Sequence, residues 1–290
     1  MSSAAPRMIE QRRRVVNILG LAVFALLALL AVAPLAHVVY TVVVNGVKVI
    51  SKVGLPDFLI SPPQPQNPNN PGGIGPVLLG SAMLIALASA IGVSLALFAG
   101  VFVAEFRRAG ISRLVLVLSL LLVEFPTILV GLYIYAIVVQ PMGTYSMLAG
   151  ALALSLVMMP YVAVQVSEAL RGVPHDLREA AFSLGVSRLK AVYRVILGVA
   201  RRGIIVGVLI GIAKVAGETA PLLFTIGGAF NRPPTGLTEP GGAIPLLIYE
   251  YIQQPGPGYH ELAWGASLVL LAIVFTIMVV ARLLVKGVRL

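Results

Sequence analysis

Between residues 15 and 44 the chain runs for 30 positions without a single Lys, Arg, Asp or Glu. About 20 apolar residues in a helix span the hydrocarbon core of a bilayer. A secretory signal carries an apolar stretch of only about 7–15 residues before a small-residue cleavage site. This run therefore predicts a retained transmembrane helix, with Pro34 inside it. Further apolar runs, three of them holding one or two charged residues, recur at 77–104, 114–139, 147–166, 203–227 and 262–284. The chain is 59% hydrophobic and only 11% charged, against about a quarter charged in soluble domains, so it cannot cover a water-facing surface. The expectation is an all-α membrane protein with six transmembrane helices.

Charge placement sets the expected orientation. Of the 21 Lys and Arg residues, four lie in the tail 1–14, three in the turn 105–113, seven in the stretch 168–202 and three at the C-terminal end counting Arg282. Lys48, Lys52 and Arg232 fall on the opposite side, and Lys214 lies within a span. Lys and Arg concentrate on the cytoplasmic side of a membrane. Both termini, including the tail 286–290, and the central loop are thus expected in the cytoplasm, in a multi-pass protein of the cell membrane. The formal net charge of +10 then reflects topology, and nucleic acid is not an expected partner.

Several chemistries are excluded. The chain has no cysteine, which rules out disulfides, thiolate metal sites and cysteine nucleophiles. His37, His175 and His260 lie on separate segments and show no metal-ligand spacing. No G-x-x-x-x-G-K-[ST] loop is present, so the chain has no phosphate cradle of its own for ATP. Two loops break the apolar pattern on the side opposite the termini. One is 45–76, where Pro62, Pro63, Pro65, Pro68 and Pro71 precede Gly72 and Gly73; the other is the Pro- and Gly-rich 228–261. Such composition predicts connectors without regular helix.

The most polar stretch is 168–202, which reads as two short helices hinged at Gly185. Pro174 suits a first helical turn, where its missing N–H costs nothing. Asp176 and Glu179 lie near the positive end of that helix dipole. Leu177, Ala180, Ala181 and Leu184 recur at i, i+3, i+4 and i+7 as one apolar stripe. Gly185 tolerates the left-handed conformation that ends a helix, and Ser187 can cap the next one. A short helix with a small-residue face fits a groove on a partner. The competing reading is a connector resting on lipid headgroups through its arginines. A DNA-reading helix-turn-helix conflicts with a membrane helix at each end of so short a segment.

Glu124, Lys214 and Glu218 lie within apolar runs. A charge at the bilayer centre costs about 2.5–3.5 kcal/mol on insertion scales, so such residues face a bundle interior and a partner. Lys214 and Glu218, four apart, share one helix face. Two readings of the pair stand side by side. It neutralises itself so that the helix can insert, or Lys214 attracts an anion into a path while Glu218 limits how tightly it stays. Glu124, beside Pro126, reads as structural. Pro221 breaks the fifth span, and the backbone groups it frees are tolerated only where they are buried in protein or line a cavity.

Two motifs carry a family resemblance. Glu179-Ala180-Ala181, three residues, Gly185, nine residues, then Val195-x-Leu197 resembles the EAA loop of ABC-importer permeases. The family pattern closes with Ile-x-Leu-Pro; here Val195 replaces the Ile and Gly198 the Pro. The hexapeptide GETAPL at 217–222 resembles a segment of the PstA-type permeases of phosphate ABC transporters. In that family an Arg stands four residues before the Glu. Lys214 keeps the charge here, without the planar fork that grips an oxyanion at two points.

The resemblance, which covers roughly 77–285 in layout, implies a type I ABC-importer permease architecture, with one six-helix permease domain over 15–285. It implies a non-catalytic subunit that moves inorganic phosphate by alternating access. Its implied partners are a PstC-type permease completing a heterodimer, two copies of an ABC ATPase subunit, an extracytoplasmic phosphate-binding protein and membrane lipid. No cofactor is expected in this chain, with ATP and Mg2+ bound by the ATPase. Glu179, Ala180, Ala181, Gly185 and Leu197 would couple to the ATPase. Lys214, Glu218, Thr219 and Pro221 would line the translocation path. A permease for sulfate, molybdate or tungstate is an alternative. So is a proton-coupled secondary transporter using Glu124, Lys214 and Glu218, although no internal repeat of the kind such folds carry is visible.

Overall fold

The computed structural model describes residues 4–67, 69–106, 110–183 and 185–286. Pro68 and Leu184, named above, lie outside the described residues, as do Arg107, Arg108 and Arg289, which were among the basic residues counted above, together with residues 1–3, 109 and the rest of 287–290. Among the described residues the chain is helical, with no strand beyond two isolated bridges, Pro63 with Gly72 and Gly227 with Gly241. The helices are α1 (Ala4–Val53), α2 (Leu55–Ile60), α3 (Gly75–Glu105), α4 (Gly110–Val123), α5 (Thr127–Ile134), α6 (Gln140–Met142), α7 (Met147–Arg171), α8 (His175–Ser183), α9 (Arg188–Ala191), α10 (Leu197–Ala216), α11 (Ile244–Tyr251) and α12 (Pro257–Lys286). A π turn, Tyr135–Val139, joins α5 to α6, and a second, Val192–Ile196, joins α9 to α10. Among the described residues five helices are long and apolar enough to cross a membrane, and the bent pair of α4 with Thr127–Met142 makes six if it is one span.

The bundle centres on α7, whose apolar stretch is 67% buried, whereas that of α1 is bare. Small residues bring the backbones together. On α3, Gly80, Leu84, Ala88, Gly92, Ala96, Gly100 and Ala104 recur every fourth position and are all buried, forming one stripe down the helix. Gly92 packs on Ser155 and Gly100 on Ala163 and Val166 of α7. From α10, Gly203, Gly207 and Gly211 meet Ala169, Gln165 and Val162 in the same way. Lipid offers no hydrophobic drive for two helices to associate, so close van der Waals packing through small side chains does that work.

Element boundaries depart from the sequence reading in four places. Helix α1 passes residue 44 and runs through Pro34 to Val53, because Gly46 and Val49 pack it inward, Gly46 against Leu268 of α12. The predicted loop 45–76 is thus helical over most of its first part, including α2, and the described residues between Ser61 and Ile74 are irregular. The third span bends by 102° between Val123 and Thr127. Pro126 cannot donate to the helix and bars its predecessor from the α region. The fifth span begins at Leu189, within the predicted central loop, and ends at Ala216. Gly198, standing where the related pattern has proline, lets the helix continue. Lastly, the predicted loop 228–261 contains α11, and α12 starts at Pro257.

Helix α3 links the two ends of the molecule. Its 31 residues extend about 46 Å at 1.5 Å per residue. At its start, Ser81 Oγ accepts from Ile244 N at 2.8 Å and Gly75 N donates to Ser61 O at 3.0 Å. At its far end, Glu105 meets α8.

Candidate functional site

Helix α10 stops at Gly217, and the chain restarts as a 3-10 turn, Ala220–Phe224. Lys214 lies in the last turn of α10, and Glu218 sits in the gap. Their side chains meet, Lys214 Nζ to Glu218 Oε1 at 2.6 Å. The other carboxylate oxygen, Oε2, accepts from Thr127 Oγ1 at 3.1 Å. Thr127 opens α5, immediately after the 102° bend. Lys214 Nζ also lies 5.7 Å from the centre of the Tyr161 ring, and Tyr161 OH donates to the carbonyl of Val123 at 3.0 Å. Val123 is the last residue of α4, whose terminal carbonyls lack helical donors. One cluster therefore ties together the breaks in two spans.

The two charged side chains differ in access. Glu218 is nearly buried, with its carboxylate engaged on both oxygens, while Lys214 is 39% exposed. An ammonium carries three donors. Among the described residues no second acceptor reaches it, so its open side can take an incoming anion. An apolar cleft of about 290 Å3 opens beside Thr127 and Tyr161, with Leu122, Phe125 and Tyr133 in its walls.

The remaining sequence-predicted path residues play supporting parts. Pro221 is buried and packs on Gly131, where an added Cβ would come within 2.6 Å of Pro221 Cα. Only glycine allows α5 to approach so closely. The Thr219 carbonyl accepts from Leu222 N and Leu223 N at 3.0 and 3.3 Å, holding the turn. Glu124 is exposed at the bend rather than enclosed in a span, and it is not joined to Lys214 or Glu218.

At the other end of the bundle, α8 and α9 form the central loop. Gly185 between them has φ +68°, the left-handed conformation expected of a helix stop. Glu179 and Ala180 are exposed, and His175 lies 3.4 Å from Glu179. Ala181 is buried, and Leu197 packs inward against the core. The motif is thus split, with Glu179, Ala180 and Gly185 outward and Ala181 and Leu197 toward their own bundle. Among its exposed charged residues the outward surface carries apolar side chains: Leu177, Phe182 and Val186 are exposed, and Leu189 and Tyr193 are 74% and 77% exposed. Arg178 anchors the loop from beneath. It donates to Glu105 Oε1 at 2.7 Å and to the Leu170 carbonyl, and the ion pair is almost wholly enclosed.

Four of these residues escaped the sequence reading. Arg178 was counted only among the basic residues of its loop, and Glu105 only as the start of a turn. Thr127 and Tyr161 carried no signal beyond the neighbouring Pro126.

A family model described as binding-protein-dependent transport system inner membrane component matches residues 92–290. The chain belongs to this family. Among its relatives is the probable phosphate transport system permease protein PstA of Methanocaldococcus jannaschii, 46% identical over 252 residues and 87% of either chain. The phosphate transport system permease protein PstA of Pasteurella multocida is 33% identical over 274 residues, 93% of this chain and 95% of its own. That of Xylella fastidiosa strain 9a5c is 33% identical over 97% of this chain and 96% of its own. Such similarity sets this permease among the PstA-type members. In fold it is similar to a chain of the MetNI methionine ABC transporter solved in inward-facing conformations, with TM-score 0.59 and 22% identity over 74% of this chain and 97% of that one. The permease is therefore a multi-pass membrane protein with the ABC-importer permease fold.

Proposed function

We propose that this permease is one membrane subunit of an ATP-driven importer of inorganic phosphate. The observation that carries the reading is the Lys214 ammonium, held by Glu218 yet open on one side, where two broken spans meet. A phosphate oxygen entering from the open side takes its free donors. Glu218 competes for the same cation and keeps the anion from binding too tightly to leave. Thr127 and Tyr161 hold the two charges in register. The phosphate transport relatives support the choice of anion.

The central loop is the coupling element. Its exposed apolar surface around Leu177, Phe182, Leu189 and Tyr193 suits a groove on a nucleotide-binding subunit. Two such ATPase subunits bind ATP and Mg2+, and a PstC-type permease completes the membrane heterodimer. Glu179, Ala180 and Gly185 face the ATPase, whereas Ala181 and Leu197 brace the loop. Movement of α8 passes through Arg178 and Glu105 to α3. This chain makes and breaks no covalent bond and holds no cofactor. Its basic residues support cytoplasmic termini, which leaves the end carrying Ser61–Ile74 and α11 to receive an extracytoplasmic phosphate-binding protein.

The test is uptake of radiolabelled phosphate into proteoliposomes holding the permease with its partner permease, ATPase and binding protein. Uptake should require ATP and yield only to unlabelled phosphate or its close mimics. Displacement by sulfate or molybdate at equal concentration moves the substrate. Uptake on a proton gradient without ATP overturns the reading.

A further inference from the structure

At the end of the bundle opposite the central loop, segment 63–67 faces α11 and the start of α12 across a cavity of about 730 Å3. Three aromatic rings form one wall. Phe230 meets Tyr251 edge to face at 5.5 Å, and Tyr251 meets Tyr259 likewise at 5.1 Å. Glu250 lines the same cavity, together with Gln64 and Asn231. Among the described residues its lining includes no Lys, Arg or His.

Glu250 differs from Glu261 and Glu239, the two other glutamates at this end, and unlike Asp57 it is partly buried. Glu261 is paired with Lys52 at 2.8 Å, and Glu239 accepts from Thr235. Among the described residues no donor or cation reaches the Glu250 carboxylate. Room is nevertheless kept for it. Gly228 has φ +70°, and an added Cβ there would stand 3.0 Å from Glu250 Oε1. Burial pushes the Glu250 carboxyl above its ordinary value, with no neighbour pulling it back. Burial also pushes the Tyr251 hydroxyl up to about 12, so the ring stays neutral. A half-buried carboxylate beside the faces of neutral aromatic rings is the chemistry that takes an ammonium or guanidinium group.

We infer that this cavity is the receptor for a Lys or Arg side chain presented by the extracytoplasmic binding protein. The inference rests on the importer reading above and on its orientation. The charge balance of the face agrees with it. Lys48, Lys52 and Arg232 are outnumbered by Asp57, Glu239, Glu250 and Glu261. The cavity is larger than one side-chain head needs, and its polar lining accommodates the residues that flank it on a docking loop. A charged contact of this kind sets encounter rate and register more than it sets the later chemistry.

The test uses the complete transporter in nanodiscs, with ATPase activity followed as phosphate-loaded binding protein is titrated in. Glu250→Gln should raise the concentration giving half-maximal stimulation about ten-fold, with the maximal rate unchanged and the salt dependence shallower. Gln254→Glu, which adds a second carboxylate to the wall, should lower that concentration. Titrations superimposable on wild type for both variants overturn the inference. So does free arginine that stimulates the ATPase without binding protein, because the cavity then takes a small molecule. Wild-type transporter unmoved by any binding protein removes the importer reading itself, a result distinguishable from the first because it appears before any substitution is made.

Discussion

Two cation–carboxylate pairs, one beneath the central loop and one where two spans break, are built differently. Arg178 and Glu105 meet at 2.7 Å with 13% and 3% of their side chains exposed. Lys214 and Glu218 meet at 2.6 Å with 39% and 10% exposed. The first pair joins residues 73 positions apart and is enclosed on all sides by protein. The second joins residues four apart and leaves its cation open on one side. Enclosure makes a salt bridge into a fastening, since removing one member leaves the other charge buried without the cation that balanced it. Openness makes it exchangeable, since an incoming anion can compete with the resident carboxylate. The guanidinium and the ammonium suit these two roles, the former forking between Glu105 and the Leu170 carbonyl.

The sharpest way to part the two pairs is to remove the cation from each. Arg178→Ala should cost about 3–5 kcal/mol, as for one partner of a buried pair. The measurable outcome is a large fall in thermal unfolding temperature and loss of the assembled complex. Lys214→Gln should leave assembly and unfolding temperature close to wild type yet lower ATP-dependent phosphate uptake by about ten-fold or more, the scale of one charge-assisted contact. If Lys214→Gln transports normally, the pair does no more than neutralise itself for insertion. If Arg178→Ala assembles and transports normally, the fastening has no mechanical part.

The hinge gives an effect of comparable size at a different step. Gly185 has φ +68°, which proline cannot adopt because its ring locks φ near −65°. Gly185→Pro should abolish co-purification of the ATPase while leaving membrane insertion intact. Normal co-purification removes the coupling role from this loop. The smallest expected effect is at Thr127, whose hydroxyl holds Glu218 Oε2. Thr127→Val loses one hydrogen bond, worth about 1 kcal/mol, and should change uptake a few-fold at most. An effect as large as that of Lys214→Gln would mean that Thr127 itself touches the substrate.

Much of this was legible along the chain. Apolar runs marked the membrane spans because helical length and lipid thickness are both local quantities. The hinge at Gly185 and the shared face of Lys214 and Glu218 were legible for the same reason, since a cap and an i, i+4 pair involve a single turn or two of one helix. Pro126 and Pro221 marked breaks, though not the 102° bend that the first one makes. Helix ends were less legible. Whether α1 stops at residue 44 or Val53 depends on Gly46 and Val49 finding α12.

The membrane class, the spans, the Gly-hinged loop and the local pair of Lys214 with Glu218 follow from order and spacing alone. Which distant residues meet does not. Thr127 reaches Glu218 across 91 positions, Arg178 reaches Glu105 across 73, and Tyr161 caps Val123 across 38. Each meeting depends on how deeply α3, α7 and α10 sink into one another at Gly92, Gly100, Gly207 and Gly211. Packing depth and rotation are properties of two surfaces together, and neither surface carries them in its own periodicity. The inward turn of Ala181 and Leu197 has the same origin. A repeat of 3.6 marks a face, and only the neighbouring helices settle whether that face looks at a partner or at its own core.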